Sequence, residues 1–287
     1  MRKMKTILEK LVSITVTYNP TLVDNILEKQ LSILSKFCKN CIVIDNGSTN
    51  VESIRILTAK YKNVTLIELH ENLGIAAALN YAVDYCKKIA DVEWIITMDQ
   101  DSYFKDDETI YNIANETLPF LNNDRVVAFG FNYEDFHFTK KKLTNHSKGP
   151  IYVHFLITSG CIVRKDIIET YGFDSDLFMY NVDTDFCRRL NRDGFKLVLV
   201  RSSFMFHKGG AISLVDNNVE YHYNEPEKFY FLGRNSLIML KRYFDLRGIA
   251  YVSLLLMENV MSNKELESTF KSLRKGIIAG FQYILGR

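Results

Sequence analysis

Two aspartates, Asp99 and Asp101, follow the apolar run at residues 94–97 and are separated only by Gln100. Alternate residues of an extended chain point to the same side, so the two carboxylates can share one cation or one water shell. Carboxylates at the end of a buried strand need a cation or a proton nearby. The pattern therefore predicts a Mg²⁺ or Mn²⁺ site with room for phosphate oxygens. A polar turn that closes a strand is the alternative interpretation, because Asp and Ser are common turn residues.

Polar residues also follow two earlier apolar segments of the chain. Both segments are short and β-rich, as strands of a buried sheet are. The polar residues at their ends are Thr17, Tyr18, Asn19 and Asp45. We expect them to converge with the two aspartates on one crevice, because ligands of such sheets bind beyond the carboxyl ends of the strands.

The elements that must position these residues alternate through the first third of the chain. Strands are predicted at residues 13–17, 41–45, 64–69 and 93–98. Helices are predicted at residues 22–36, 51–61 and 74–90. Apolar strands that alternate with helices predict an α/β fold with a parallel sheet covered on both faces, which forms a Rossmann-like half.

The middle of the chain continues with a predicted helix at residues 106–121 and a strand at residues 126–131. The stretch 134–150 is polar, Lys-rich and weakly periodic. It predicts either a mobile loop over the site or a solvent-exposed loop away from it. The apolar segment beyond it contains Thr158, Ser159 and Gly160, and a helix is predicted at residues 165–171.

Four further residues of the second half could do chemistry. Asp183 and Asp185 stand in a stretch with acids before arginines, which is typical of a helix start and could be purely structural. His207 precedes two glycines, which let a backbone approach a ligand closely, although a lone His is more often structural. Arg234 shares a predicted helix face with Tyr230, where it could clamp a diphosphate or make a surface contact.

The composition indicates a folded protein of one large domain or two modest ones. The chain has 287 residues, of which 47% are hydrophobic and 24% are charged. Thirty-six basic and thirty-four acidic residues leave a formal net charge of +2, which argues against broad nucleic-acid binding by charge. No apolar run reaches the roughly 18 residues that a membrane-spanning helix needs.

The N-terminal residues lack the apolar segment of a secretory signal, so we expect a cytoplasmic protein. Five cysteines stand among apolar neighbours, which favours reduced and mostly buried thiols. Cys38 and Cys41 have the spacing of half a zinc knuckle, but no second pair follows at a usable distance.

The C-terminal stretch 244–287 combines apolar residues at helical spacing with Lys271, Arg274 and Lys275. Such amphipathic helices could lie on a membrane surface. They could equally pack on the preceding part of the chain or on a second subunit, which would make the protein a homo-oligomer.

Taken in order, these residues resemble a family 2 glycosyltransferase with the GT-A fold, over roughly residues 12–240. The resemblance implies a Rossmann-like nucleotide-binding half and an acceptor half around one mixed, mostly parallel sheet. It implies a catalytic domain at residues 1–243 and a C-terminal helical extension at residues 244–287. The motifs that carry it are Thr17-Tyr18-Asn19, Asp45-Asn46-Gly47-Ser48, Asn72-Leu73-Gly74 with Asn80, Asp99-Gln100-Asp101, Thr158-Ser159-Gly160, Asp183-Thr184-Asp185, His207 and Arg234-Asn235.

The family implies a role for each matching position. The residues that would contact the donor are Thr17, Tyr18, Asn19, Asp45, Gly74, Asn80, Asp99 and Arg234. Asp101 and His207 would bind Mg²⁺ or Mn²⁺, and Arg234 would steady the leaving diphosphate. Thr158, Ser159, Gly160 and Asp185 would lie on the acceptor side.

Asp183 matches the general base of the inverting members of the family. The acid that usually precedes this base is Val182 here, and the loss of a neighbouring negative charge should lower the pKa of Asp183 relative to a paired site. Asp185 is the alternative base, although its position near Arg188 and Arg189 also suits a structural ion pair.

The motif Met98-Asp99-Gln100-Asp101-Ser102 is most similar to that of the bacterial rhamnosyltransferase branch, whose donor is dTDP-L-rhamnose. The expected reaction is inverting transfer of L-rhamnose to a glycan acceptor, one that is lipid-linked if the C-terminal helices bind the inner membrane face. The expected pathway is cell-surface polysaccharide synthesis. Alternatives are a UDP-hexose or other donor, a non-catalytic sugar-nucleotide-binding subunit, or a phosphatase with Asp99 as nucleophile.

Overall fold

The structure is a computed structural model of the 287-residue chain. It describes residues 7, 8, 10–135, 149–208, 211–215, 218–222, 226–262 and 266–286. Most of the predicted loop at residues 134–150 lies outside the described residues.

The chain divides into two compact units. The first unit consists of residues 1–175 and 183–209, and the second of residues 176–182 and 210–287. The predicted boundary at residue 243 lies inside the second unit. The functional division at this residue, between a catalytic domain and a C-terminal extension, stays a prediction.

The first part of the first unit is a parallel βαβ array. Its strands are β1 (Leu11–Thr17), β2 (Asn40–Asp45), β3 (Val64–Glu68) and β4 (Trp94–Asp99). Its helices are α1 (Ile26–Phe37), α2 (Val51–Thr58) and α3 (Ile75–Cys86). All seven residues of β1 are buried, because helices cover both faces of the sheet. The strands pair in the order β3-β2-β1-β4, so the carboxyl ends of β1, β2 and β4 share one edge, as predicted.

The rest of the first unit completes a mixed sheet. Its elements are β5 (Ser102–Phe104), α4 (Asp107–Thr117), β6 (Val126–Asp135), β7 (Ile151–Val153), β8 (Cys161–Arg164), α5 (Lys165–Tyr171), α6 (Val182–Arg192) and β9 (Lys196–His207). The order continues from β4 as β8-β6-β9-β5, and β7 pairs with β9. Strand β8 runs antiparallel to β4 and β6, which makes the sheet mixed. The predicted α/β architecture is confirmed.

The second unit contains a hairpin and three helices. The hairpin strands are β10 (Ala211–Val215) and β11 (Asn218–His222). The helices are α7 (Pro226–Tyr243), α8 (Arg247–Ser262) and α9 (Leu266–Leu285), so the C-terminal helices expected from the sequence are present. Within the described residues, no helix combines the length and apolar character that crossing a bilayer requires.

Several element boundaries differ from the sequence predictions. Helix α1 begins at Ile26 rather than at residue 22, because Asn25 adopts a left-handed backbone with a φ of 56°. Helix α4 ends at Thr117, and a short 3₁₀ turn that contains Pro119 follows. The sequence pattern predicts a strand at residues 196–201, and β9 continues beyond it to His207, because β5 pairs with its last residues.

Candidate functional site

The turn between β4 and β5 carries Asp99 and Asp101 at the carboxyl edge of the parallel strands. Strand β5 pairs antiparallel with the end of β9, and this register sets His207 opposite Ser102. One ligand atom from each of Asp99, Asp101 and His207 lies within 4.8 Å of the others. The fold thus joins two neighbouring acids with a histidine more than a hundred residues away.

The charges of this cluster favour a bound cation. Burial, and secondarily the charge of Asp101, raise the pKa of Asp99 to about 7, while His207 opposes the rise. The Nδ1 atom of His207 lies 3.4 Å from Oδ1 of Asp101 and 2.5 Å from Oγ of Ser102. Two carboxylates and an imidazole form a donor set that suits Mn²⁺ or Mg²⁺. A divalent cation would relieve the repulsion between the two acids, so the residues fit the cofactor predicted from the sequence.

Gln30, a buried residue of α1, holds the turn between β4 and β5 through hydrogen bonds. The Nε2 atom of Gln30 donates hydrogen bonds to the carbonyl oxygens of Asp99 (2.7 Å) and Ser102 (2.5 Å). Its Oε1 atom accepts a hydrogen bond from Thr15 Oγ1 at 2.7 Å. Gln30 and Thr15 are both fully buried, so each polar atom of this amide has a protein partner. The contacts fix the backbone on both sides of Asp101.

Gln100, between the two acids, has a structural contact of its own. Its Oε1 atom accepts a hydrogen bond from the Tyr18 backbone N–H at 2.7 Å, and its Nε2 atom donates to the Tyr18 carbonyl at 3.1 Å. Gln100 therefore ties the loop after β1 to the turn after β4. The Tyr18 side chain itself is exposed.

Asp45 joins the loops after β1 and β2. Its two carboxylate oxygens accept hydrogen bonds from Thr17 Oγ1 at 3.2 Å and from the Ser48 N–H at 2.9 Å, and the side chain is buried. The Asn19 N–H donates to Ser48 Oγ at 2.8 Å, and Asn19 Oδ1 accepts from the Thr49 N–H. These residues form a connected polar network at the predicted donor side.

The loop before α3 is tied to the same network by Asn46 and Asn72. Asn46 donates to Asn72 Oδ1 at 2.9 Å and accepts from the Leu73 N–H at 2.9 Å. Asn72 Oδ1 also accepts from the N–H of Gly74, whose φ of 83° disfavours any residue with a side chain. Asn80 instead exchanges hydrogen bonds with the backbone of Phe173, so its predicted donor contact stays a prediction.

Asp183 occupies the first turn of α6. Burial raises the pKa of Asp183 to about 6, although hydrogen bonds from Thr184 oppose the rise. Oδ1 of Asp183 accepts the Thr184 N–H at 2.7 Å, and Oδ2 accepts no hydrogen bond from the described residues. The negative charge of Asp183 contributes to the raised pKa of Asp99. Asp183 is thus a carboxylate with one oxygen fixed and one available, within electrostatic range of the acidic cluster.

A narrow apolar cavity lies beside Asp183. Its lining includes Thr97, Cys161 and Cys187. Burial raises the pKa of both cysteines, so their thiols stay protonated and leave the surroundings of Asp183 uncharged. This setting explains why burial dominates the pKa of Asp183.

The segment Thr158-Ser159-Gly160 packs against the end of β4. Ser159 is buried, and its Oγ atom accepts the Asp99 N–H at 3.1 Å. The Gly160 N–H donates to the Thr97 carbonyl at 2.8 Å, and the Thr158 carbonyl accepts from Thr97 Oγ1 at 2.6 Å. These bonds support Asp99, and the predicted acceptor contact of the segment stays a prediction.

Asp185 forms a buried ion pair with Arg189 at 2.8 Å. The guanidinium of Arg189 also donates to the carbonyls of Tyr171 and Gly172, at 2.6 and 2.8 Å. The structural ion pair anticipated from the sequence is therefore present. A paired and buried carboxylate is poorly suited to take a proton from a substrate, which favours Asp183 over Asp185 as the base.

Arg234 lies on α7 in the second unit. Its Nη1 atom donates to the carbonyl of Asp176 at 2.5 Å, and its guanidinium lies 5.9 Å from the ring centre of Tyr283. The neighbouring Asn235 is buried and donates through Nδ2 to the carbonyls of Leu177, Met179 and Tyr180. The predicted contact of Arg234 with a diphosphate stays a prediction.

The sequence interpretation missed the contacts of Gln30 and Asn235. Gln30 offered a signal, because it is the polar member of the otherwise apolar buried face of α1. A polar residue at a core position needs a buried partner, although the sequence does not say which one. Asn235 belongs to the motif Arg234-Asn235, but nothing in the sequence indicates that its side chain binds three carbonyl oxygens.

Comparison with known proteins gives a family and a fold. The sequence profile of glycosyl transferase family 2 matches residues 14–172. Mannosyltransferase PcManGT from Pyrobaculum calidifontis, solved with GDP-Man and Mn²⁺, has a TM-score of 0.57 at 15% identity, with 99% of this chain and 89% of that chain covered. Residues 1–349 of S. aureus TarS, solved with UDP, give 0.53 at 14% identity, with 97% and 92% covered.

A longer structure of S. aureus TarS has a TM-score of 0.55 at 17% identity, with 81% of this chain matched. The match spans only 40% of that longer TarS chain. No curated protein sequence is significantly similar to this chain. At these identities, the structural likeness establishes a shared GT-A fold.

Proposed function

The chain belongs to glycosyltransferase family 2, and from that membership we propose that it is an inverting, metal-dependent rhamnosyltransferase. The proposed reaction moves L-rhamnose from dTDP-L-rhamnose to a hydroxyl of a glycan acceptor. The observation that carries the proposal is Asp183, a partly buried carboxylate with one available oxygen, within electrostatic range of the cluster Asp99, Asp101 and His207.

In this reaction Asp183 takes the proton of the acceptor hydroxyl. The hydroxyl oxygen bonds to the anomeric carbon as the bond from that carbon to the diphosphate breaks, and dTDP leaves with the bonding electron pair. A single displacement inverts the anomeric centre. The raised pKa of Asp183 makes it a stronger base than an ordinary Asp, yet it remains mostly ionised at neutral pH.

Asp101 and His207, with Asp99 beside them, would hold Mg²⁺ or Mn²⁺. When bound, the cation neutralises charge that develops on the leaving diphosphate. Gln30 and Ser159 fix the backbone of Asp99 through hydrogen bonds, so the carboxylates need little rearrangement to meet a ligand. Arg234 is proposed to steady the diphosphate, because a guanidinium fork matches phosphate oxygens.

The proposed nucleotide pocket comprises Thr17, Tyr18, Asn19, Asp45, Gly74, Asn80 and Asp99. The choice of rhamnose rests on the pattern Met98-Asp99-Gln100-Asp101-Ser102. The Gln100 side chain forms hydrogen bonds with the Tyr18 backbone. Gln100 would therefore influence the choice of donor by fixing the conformation of the loop after β1. The proposed setting is the cytoplasmic face of a bacterial membrane, with a lipid-linked acceptor in cell-surface polysaccharide synthesis.

A different donor is the second candidate. The solved structures of similar fold contain UDP in TarS and GDP-Man in the mannosyltransferase, so one fold accommodates different nucleotides. A UDP-hexose or another sugar nucleotide would use the same base and the same cation cluster. A non-catalytic sugar-nucleotide-binding subunit would retain the pocket and need no base.

A donor panel separates these candidates. Purified protein is mixed with dTDP-L-rhamnose, UDP-glucose, UDP-N-acetylglucosamine or GDP-mannose, with Mn²⁺, with Mg²⁺ or with EDTA. Donor binding is measured by calorimetry, and release of the nucleoside diphosphate is measured with a panel of glycan acceptors. We expect dTDP-L-rhamnose to bind most tightly and to be consumed only when the divalent cation is present.

Preferred consumption of a UDP-sugar would replace the rhamnose assignment but keep the transferase. Binding of a donor that no acceptor consumes would favour the non-catalytic subunit. Turnover that is unaffected by EDTA would contradict the role assigned to Asp101 and His207.

A further inference from the structure

Helix α9 exposes its large apolar side chains and buries its small residues. Its outer face consists of Phe270, Ile277, Ile278, Phe281 and Leu285, which are 50%, 37%, 47%, 51% and 65% exposed. Its inner face, towards α7, contains Thr269, Leu273, Gly276 and Gly280. A helix that only packed on its own unit would have the opposite arrangement, because burial of large apolar residues drives folding.

The inner face explains how α9 stays attached while most of its large apolar residues are exposed, because Leu273 packs in a buried apolar cluster and the glycines allow close approach. A Cβ atom at Gly276 would collide with the Tyr230 carbonyl, and one at Gly280 would lie 3.1 Å from the Arg234 carbonyl. The glycines therefore let α9 approach α7 closely, backbone against backbone. The outer face is not needed for this packing.

The exposed surface of α9 is also basic. Arg274 is exposed on the outer face, Lys271 and Lys275 are exposed beside it, and Glu267 is the one acid in the helix. No ion pair joins these three cations to an acid anywhere in the described part of the chain. Large apolar residues beside unpaired cations have the composition of a helix at a lipid interface.

Helix α8 adds exposed apolar area to the same unit. Tyr251, Leu254, Met257 and Val260 recur every three residues along it and are each at least half exposed. The segment before α8 exposes Phe244 and Leu246 as well. An accumulation of exposed large apolar residues like this one indicates an interaction site rather than ordinary surface.

We propose that the outer face of α9 docks on the surface of an anionic lipid bilayer, with the three cations at the headgroups and the apolar side chains below them. A second copy of the chain fits the surface less well. In a two-fold contact the same face meets itself, so the basic helix would oppose its own cations. An anionic bilayer supplies both the apolar phase and the opposite charge.

This inference deepens the membrane setting of the proposed function, although it depends on no residue of the candidate catalytic site. It gives the proposed lipid-linked acceptor a physical basis, since docking would hold the protein where such an acceptor lies. The two ideas can therefore fail separately.

Co-sedimentation of the full chain with vesicles tests the inference. One vesicle is phosphatidylcholine alone, and the other is an equal mixture of phosphatidylcholine and phosphatidylglycerol. We expect strong binding to the mixed vesicles that weakens as salt is raised, and weak binding to the neutral ones. Lys271→Gln and Lys275→Gln should each reduce binding to the mixed vesicles about fivefold.

The apolar contribution is tested by the double variant Ile278→Ser with Phe281→Ser, which should weaken vesicle binding at least about tenfold. Ile56→Ser is the matched control, because it removes an exposed isoleucine from α2 in the first unit, and its vesicle binding should equal that of the wild type. The thermal unfolding midpoint of each variant shows that loss of vesicle binding is not loss of fold. The lysine variants alter only exposed side chains and keep the test valid if the double variant is unstable.

Equal binding to neutral and anionic vesicles, or binding to neither, would overturn the inference. So would a concentration-dependent dimer in lipid-free solution that the double variant abolishes, because the outer face would then belong to a second copy. A chain that binds anionic vesicles but consumes no sugar nucleotide would support the docking surface and contradict the proposed function alone.

Discussion

The turn at residues 99–102 and the outer face of α9 are constructed in opposite ways. In the turn, Gln30, Gln100 and Ser159 hold the backbone through directional hydrogen bonds, and the side chains converge within a few ångströms. On α9, large side chains project outward with no polar contact to fix them. The difference matches the roles proposed for the two regions, because chemistry requires fixed atoms, whereas docking on a fluid surface requires only area and charge.

The two regions should also differ in their sensitivity to substitution. A hydrogen-bonded site loses function when one atom changes, because the partner left behind is buried and unsatisfied. An apolar surface loses affinity gradually, side chain by side chain. Single substitutions in each region can therefore test whether the two regions respond differently.

The largest effect is expected from Asp183→Asn. The amide keeps the shape and can still accept the Thr184 N–H, but it cannot take a proton, so turnover should fall about a thousandfold while donor binding remains. Steady-state release of the nucleoside diphosphate and calorimetric donor binding measure the two quantities. Asp84→Asn on α3, an exposed acid, is the control and should behave as the wild type. Unchanged turnover in Asp183→Asn would remove the base assignment.

A smaller effect is expected from Gln30→Met. Methionine fills a similar volume but donates no hydrogen bond, so the carbonyls of Asp99 and Ser102 lose their partner. The Mn²⁺ concentration for half-maximal turnover should rise about 10- to 100-fold, as for other residues that orient metal ligands. Ser32→Ala on the exposed side of the same helix is the control. If Gln30→Met lowered stability without changing the Mn²⁺ requirement, the residue would be structural only.

The pH dependence of the rate should show the raised pKa of Asp183. The base must be ionised, and burial raises its pKa to about 6, so activity is retained above that pH and is lost as the pH falls through it. Each further unit of acidity should lower kcat/KM about tenfold. A profile that stays level down to the ordinary pKa of Asp would mean that burial does not control the protonation of the base.

The smallest effect on activity is expected from Gly276→Ala, which tests the inner face of α9. The added methyl group would meet the Tyr230 carbonyl, so the free energy of unfolding should fall by about 1–3 kcal/mol. Phe281→Ser on the outer face should change it by less than about 0.5 kcal/mol. Urea unfolding followed by circular dichroism measures both, with Gln282→Ala as the control. A larger loss for Phe281→Ser would mean that the outer face is part of the core.

The parallel strands could be predicted because their cause is local. The apolar runs of β1, β2 and β4, with polar residues at their ends, identify the edge of the sheet on which Asp45 and Asp99 both lie. The family of the chain was recognisable from the order of these motifs. Element ends were less predictable, because the left-handed Asn25 follows from tertiary packing rather than from periodicity.

The supporting contacts were not predictable because they join distant parts of the chain. Gln30 reaches carbonyls 69 and 72 residues away, and the position of His207 depends on the register of β5 against β9. Periodicity along one strand does not specify which strand becomes its neighbour. The grouping of residues 176–182 with the second unit was likewise not predictable, because this segment is too short to show a composition of its own.

That short segment has a consequence for synthesis on the ribosome. Phe178, Tyr180 and Asn181 all have left-handed backbones, with φ near 60°, and the Asn235 amide binds three carbonyls of the same segment. Asn235 emerges 55 to 58 residues after the carbonyls it binds, so these hydrogen bonds form only after that much more of the chain has been synthesised. The parallel strands β1 to β4 are synthesised well before Asn235, so the growing chain can form the edge that carries Asp99 before Asn235 binds the segment that leads into Asp183.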